Sequence, residues 1–194
     1  CAEIREKAKQ VVKPMVKELK RRFGDSVYTT KEKVTLEQSV ADLLKERGYT
    51  ITTAESCTGG MLAARLINVP GVSEVYRTGF ITYANKAKRK ELGVLKETLR
   101  LYGAVSRETA MEMVRGAAEH ADAEVALATT GIAGPDGGTE AKPVGLVYIS
   151  CYVAGEVTVR EFRFSGNRAK IRESAVAAAL TLARECLLRQ EPVR

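Results

Sequence analysis

The sequence is short of the residues on which most hydrolytic and metal sites are built. It has one histidine, His120, and no tryptophan. A single histidine excludes two-histidine metal motifs, and any Ser-His-Asp or Cys-His catalysis would have to use His120. The four cysteines, Cys1, Cys57, Cys151 and Cys186, form no C-x-x-C pair. Their scatter supports neither a zinc ribbon nor a disulfide scaffold and leads us to expect a reducing cytoplasm. No apolar run approaches the ~18 residues of a membrane span. The charged opening, CAEIREKAKQ, does not read as a secretory signal. Gly-Lys-Ser/Thr is missing from the glycine-rich stretches, so there is no Walker A motif.

What remains is an ordinary globular composition. The 194 residues are 45% hydrophobic and 28% charged, enough for one domain with a small appendage. The net charge is +7, which suits either nucleic acid or a phosphorylated small substrate. Most of the excess lies in residues 1–33, where ten Lys or Arg face five Asp or Glu. The rest of the chain is close to neutral and carries no standard DNA- or RNA-binding motif, which disfavours a nucleic-acid partner.

Apolar spacing predicts a basic amphipathic helix over 2–22, with Val11, Val12, Met15 and Leu19 near one face and Pro14 as a probable kink point. Ser26–Thr29 reads as a short strand. This segment shows no core of its own and is expected to be the end of a preceding region (residues 1–30), before a domain at 31–194. Beginning with Cys1 rather than Met fits such a piece. Thr35-Leu36-Glu37-Gln38 has the form of a capping box for a helix ending at Gly48. Strands then alternate with helices: strand 49–54, helix 61–67, strand 75–83, helix 86–92 capped by Asn85, turns over 96–101, helix 106–119, strand 125–130. Residues 144–153 and 157–164 read as a hairpin turning at Gly155-Glu156, before a last helix capped by Asn167. The order implies a three-layer α/β/α domain with a mixed sheet and a C-terminal β-hairpin.

Four stretches can carry chemistry. Glu55-Ser56-Cys57-Thr58-Gly59-Gly60 lies between a strand and a helix, where free N–H groups can hold a phosphate or an oxyanion. Its plain alternative is a capped turn. Tyr83-Ala84-Asn85-Lys86-Ala87-Lys88 lies at a second such junction. With Asn85 as cap, Lys88 falls at N3, where the helix dipole and partial burial would favour a neutral amine able to act as a general base, although a lysine at that position is more often simply solvated. Thr129 to Gly138 is a strand end running into a glycine-rich loop, able to cradle a phosphate or sugar, or equally a surface loop. Ser165-Gly166-Asn167-Arg168 sets an arginine at a helix start, suited to a phosphate or carboxylate, or more plainly a capped helix with an exposed arginine. Cys57 rivals Ser56 as nucleophile, but no histidine is near it in sequence, so a Ser-Lys arrangement is preferred. His120 is expected to meet the last carbonyls of its helix.

Taken together, TTAESCTGG, TGFITYANKAKRKELGV, GAVS, TGIAGPDGG with KPVG, and FSGNR resemble the C-terminal domain of the CinA competence/damage-inducible proteins. Single-domain relatives form the nicotinamide-nucleotide amidohydrolases. The resemblance covers about residues 34–188. It implies hydrolysis of the carboxamide of nicotinamide mononucleotide to nicotinic acid mononucleotide and ammonia, with no metal or organic cofactor. It implies Ser56 as nucleophile, Lys88 as general base and Tyr83 as orienting group or proton carrier. Thr58, Gly59 and Gly60 would bind substrate at the first turn. Thr130, Gly131 and Gly134 would do so at the second loop, and Arg168 would take the phosphate. The other reading is a non-catalytic nucleotide-sensing or partner-binding domain. Family analogy and base rates lead us to expect a homodimer without membrane attachment.

Overall fold

Strand β1 (Ile51–Glu55) is buried at every position and lies inside the sheet. The computed structural model describes residues 2–190; the side chains of residues 2–5 and Asp25 lie outside that description, as do Cys1 and the last four residues of the expected domain. Five strands lie in the order β2-β1-β3-β4-β5: β2 is Tyr76–Ile81, β3 Val125–Gly131, β4 Leu146–Val153 and β5 Glu156–Arg163. β1 runs parallel to β2 and β3, and β3, β4 and β5 are mutually antiparallel in turn. The mixed sheet is the expected one.

Helices cover both faces. One core packs α2 (Leu36–Arg47), α3 (Met61–Ile67) and α7 (Arg168–Arg189) against Ile51, Leu127, Ile149 and Cys151. The other packs α4 (Asn85–Leu92) and α6 (Arg107–Ala121) against Ala54, Ala126 and Ala128. Small residues on that face of β1 and β3 let α6 approach closely. α5 (Lys96–Leu101) packs on α6. The connection leaving β1 runs to β2 and that leaving β3 runs to β4, so the chain diverges at their carboxyl ends and opens a crevice there.

Local signals account for most boundaries. The Thr35 hydroxyl accepts from Gln38 N–H at 3.3 Å, and Gly48 ends α2 in the left-handed conformation. The Gln38 side chain does not complete the box; it donates to Asp42. Ser106 and Asn167 cap α6 and α7 as expected.

Four expectations are corrected. Ser26–Thr29 is not a strand, because it has no neighbour in the sheet and Gly24–Ser26 forms a 3-10 turn. The hairpin turns at Ala154-Gly155, since Val153 pairs with Glu156 and both intervening residues have positive φ. Asn85 is not the cap of α4; Lys88 N–H bonds to Ala84 O, so the helix starts a residue earlier and Lys88 falls at N4. α1 (Ala2–Phe23) continues through Pro14, because the missing donor falls on an exposed helix where water serves the freed carbonyl. Val11, Val12, Met15, Leu19 and Phe23 on α1 are exposed. No helix among the described residues is long and apolar enough to cross a membrane.

The contact between α4 and α6 sets the depth of α4. A Cβ on Gly116 of α6 would stand 1.9 Å from Leu92 O at the end of α4. Gly116→Ala must therefore push α4 outward, and with it Lys88. We expect a stability loss of about 2–3 kcal/mol in urea denaturation. An unchanged midpoint would show that α4 yields without cost.

Candidate active site

Three backbone N–H groups at the start of α3 are held by one carboxylate. Glu55, the fully buried last residue of β1, accepts from Gly60 at 2.9 Å, Leu62 at 3.0 Å and Ala63 at 2.8 Å. The sequence reading had left this helix start free for an incoming anion. It is already occupied, which corrects that expectation. A glutamate closing a buried strand just before a glycine pair was the available signal, since burial of a carboxylate requires donors of this kind. Among the described residues, the Thr58 N–H has no backbone acceptor, while the Cys57 N–H meets its own thiol.

The turn that carries them is braced from α7. Arg172 donates to Cys57 O at 3.0 Å and to Thr58 O at 2.7 Å. Sequence reasoning missed Arg172, although it lies one helical turn beyond Arg168. The Thr58 and Thr129 hydroxyls bond each other at 2.7 Å in a fully buried contact, so Thr58 faces the core. Gly59 and Gly60 both have positive φ, which this tight turn requires. Ser56 N–H donates to Thr129 O at 2.9 Å, fixing Ser56 at the end of the β1–β3 ladder.

Lys88 reaches Ser56 from α4. Its side chain is 1% exposed, and its Nζ lies 2.9 Å from Ser56 Oγ, 2.8 Å from Thr82 O and 3.2 Å from Tyr83 O. No carboxylate pairs with it. Burial therefore pulls its pKa down to about 8, while the nearby Cys57 pulls slightly the other way. A neutral amine has two N–H bonds and one lone pair. The two carbonyls take the N–H groups, and the lone pair is left for the Ser56 hydroxyl proton. The geometry fits a serine activated by an uncharged lysine.

Cys57 does not compete. Burial pushes its thiol up to about 11, so it stays protonated at neutral pH. His120 bonds Gly116 O at 2.7 Å and stands edge-on to Phe80. It lies in the last turn of α6.

Tyr83 and Arg168 meet at the rim. The exposed Tyr83 phenol accepts from Arg168 Nη2 at 3.2 Å, while Arg168 Nη1 donates to Gly134 O at 2.8 Å. The Tyr83 carbonyl, rather than its ring, touches Lys88. Thr130 is fully buried and donates its hydroxyl to Ala104 O at 2.6 Å, so it has no proton left for a ligand. That bond ties the end of β3 to the turn before α6, and the hydroxyl oxygen keeps only accepting capacity. Gly131 lies against β4, where a Cβ would meet Leu146 O at 2.7 Å; close strand approach is its requirement. No group of three metal-ligating side chains occurs among the described residues.

A three-layer α/β/α domain with a buried serine–lysine pair at the crevice of its sheet is the class that fold and site define. A family model described as the CinA C-terminal domain matches residues 33–187. The chain belongs to that family. A protein of Clostridium beijerinckii named for competence-damage induction is 50% identical over 188 residues, covering 97% of this chain and 46% of that protein. A CinA-like protein of Kosmotoga olearia is 48% identical over 187 residues, 96% of this chain and 45% of the other. The chain thus spans about half the length of these curated relatives. Among solved structures, the competence/damage-inducible protein CihA from Agrobacterium tumefaciens is similar with a TM-score of 0.77 at 43% identity, covering 79% of this chain and 94% of that one. A CinA superfamily protein from Klebsiella pneumoniae gives 0.78 at 38% identity, covering 80% and 97%.

The Glu55 cap predicts its own test. Glu55→Gln replaces one accepting oxygen by a donor that faces backbone N–H groups. We expect a loss of about 2–3 kcal/mol, read as a fall in Tm of about 5–10 °C. An unchanged Tm would mean that the three N–H groups find other acceptors.

Proposed function

We propose that this domain hydrolyses the carboxamide of nicotinamide mononucleotide, giving nicotinic acid mononucleotide and ammonia. The observation that carries the reading is the Lys88 amine, buried without a counter-ion and hydrogen-bonded to Ser56. The substrate class comes from the family resemblance and is supported by the rim. Among the described residues, Arg168 has a carbonyl and a phenol as its partners, and the first turn of α7 holds no acidic residue. An exposed guanidinium at the start of a 22-residue helix suits a phosphate.

In this mechanism Ser56 Oγ attacks the carboxamide carbon as its proton passes to Lys88 Nζ. The oxyanion forms beside the Cys57 and Thr58 N–H groups, held in place by Arg172. Lys88 then returns the proton to the amide nitrogen, the C–N bond breaks and ammonia leaves. The neutral amine next takes a proton from water, whose hydroxide attacks the acyl-serine; the C–Oγ bond breaks, Lys88 returns the proton to Ser56 Oγ, and the acid is freed. Tyr83 acts at two points: its carbonyl orients Lys88 and its phenol steadies Arg168. Phosphate binding at Arg168 orients an amide bond some distance away.

The expected result is ammonia release from nicotinamide mononucleotide without added metal, abolished in Ser56→Ala and Lys88→Ala and retained in Cys57→Ala. Substrate binding without turnover in the wild type would instead identify a nucleotide sensor. Because the neutral amine is the working form, kcat/KM should rise with pH through about 8 and level off above it. A profile flat from pH 6 to 9 would remove Lys88 as the base.

Free nicotinamide, lacking the phosphoribosyl group, should be a poor substrate. Arg168→Ala should raise KM for the mononucleotide by about 10–100-fold and leave turnover of nicotinamide unchanged. Equal kcat/KM for the two substrates would contradict the assignment of the phosphate to Arg168.

A further inference from the structure

A second group of reactive side chains lies on the α7 face, outside the proposed hydrolysis. Cys151 in β4 and Cys186 near the end of α7 belong to the same core cluster. Their thiols are within hydrogen-bonding reach of each other. Thr158, paired with Cys151 across the β4–β5 ladder, lines the same cavity as Cys186. A cavity of about 110 Å³ adjoins the pair, lined by both cysteines, Val153, Thr158 and Gln190, with exposed Glu156 and Arg189 at its edge.

The two thiols are not equivalent. Cys186 is pulled down to about 7, first by its hydrogen bond with Cys151 and then, against burial, by Thr158 and the charges of Arg160 and Arg189. Cys151 is pushed well up by the same hydrogen bond and by burial. Arg160 is itself anchored to Glu185 at 2.6 Å, on the residue preceding Cys186. Cys186, beside Arg160 and Arg189 and at the cavity, thus carries the larger thiolate fraction, while Cys151 is the more deeply buried thiol. That asymmetry separates an attacking from a resolving cysteine.

We propose that Cys186 and Cys151 form a peroxide-reactive pair that closes a disulfide between α7 and β4. The Cys186 thiolate attacks one oxygen of hydrogen peroxide or an organic hydroperoxide. The S–O bond forms, the O–O bond breaks, and the leaving hydroxide or alkoxide takes up a proton. Cys151 then attacks the sulfenic sulfur: the S–S bond forms, the S–O bond breaks, and the departing hydroxide leaves as water with the Cys151 proton. Two thiols lose two electrons and one peroxide is reduced. A transient disulfide of this kind is compatible with a reducing compartment.

The test is peptide mapping of the whole chain after hydrogen peroxide treatment. We expect a linked Cys151–Cys186 peptide that dithiothreitol releases. In Cys151→Ser the oxidation should stop at Cys186 and be trapped there by dimedone. Before oxidation, iodoacetamide at pH 7 should label Cys186 at least about tenfold faster than Cys57. Absence of the linked peptide from oxidised wild-type protein would overturn the proposal, and that reading needs no variant to fold. Dimedone on Cys57 with none on Cys186 would overturn it as well.

Discussion

The site depends on keeping one amine out of water without giving it a counter-ion. Lys88 is almost wholly buried, and its nitrogen meets two backbone carbonyls and one hydroxyl. A carboxylate in the same place would hold the ammonium form and remove the proton acceptor that the proposed mechanism requires. The carbonyls of Thr82 and Tyr83 satisfy the N–H groups without stabilising the charge to the same extent. Their position follows from the chain leaving the edge strand β2 and turning at once into α4. The depth of α4 follows in turn from Gly116, which lets the helix end approach α6. A small residue far from Ser56 in sequence therefore helps to set the Ser56–Lys88 distance.

The turn after β1 is shaped by two opposite charges. Glu55 gathers N–H groups of α3 from beneath, and Arg172 gathers the carbonyls of Cys57 and Thr58 from α7. Each charge is satisfied by backbone groups rather than by the other. The result is a braced turn next to Ser56 in which, among the described residues, the Thr58 N–H has no backbone acceptor. The anion-binding capacity of the α3 start is already used by the protein, and what remains open belongs to the turn itself.

Some of this was legible in the sequence. The alternation of strands and helices, the Thr35, Ser106 and Asn167 caps and the hairpin all follow from local chemistry that neighbouring residues complete by themselves. Ser56, Lys88, Tyr83 and Arg168 were singled out because each lies at a strand-to-helix junction. The four corrections to the elements have a common cause. Ser26–Thr29 has strand-like residues but no neighbour to pair with. Asn85 is a good cap, but Ala84 is where the chain turns. The hairpin places positive φ on Ala154 because strand register, rather than residue preference, fixes the turn. Pro14 is tolerated because water reaches the freed carbonyl.

The sequence by itself determined the order of elements, the junctions where polar groups gather and the family to which they belong. Those are properties of spacing and of side chains acting on their own backbone. Only the tertiary structure decided which of these groups meet. Lys88 reaches Ser56 across 32 positions and Arg172 reaches Cys57 across 115. It also turned Thr130 toward Ala104, gave the start of α3 to Glu55 and set Cys186 against Cys151. Burial and partner choice are set by the packing of elements distant in the chain, and that packing fixes the charge state of Lys88, Cys57 and Cys186.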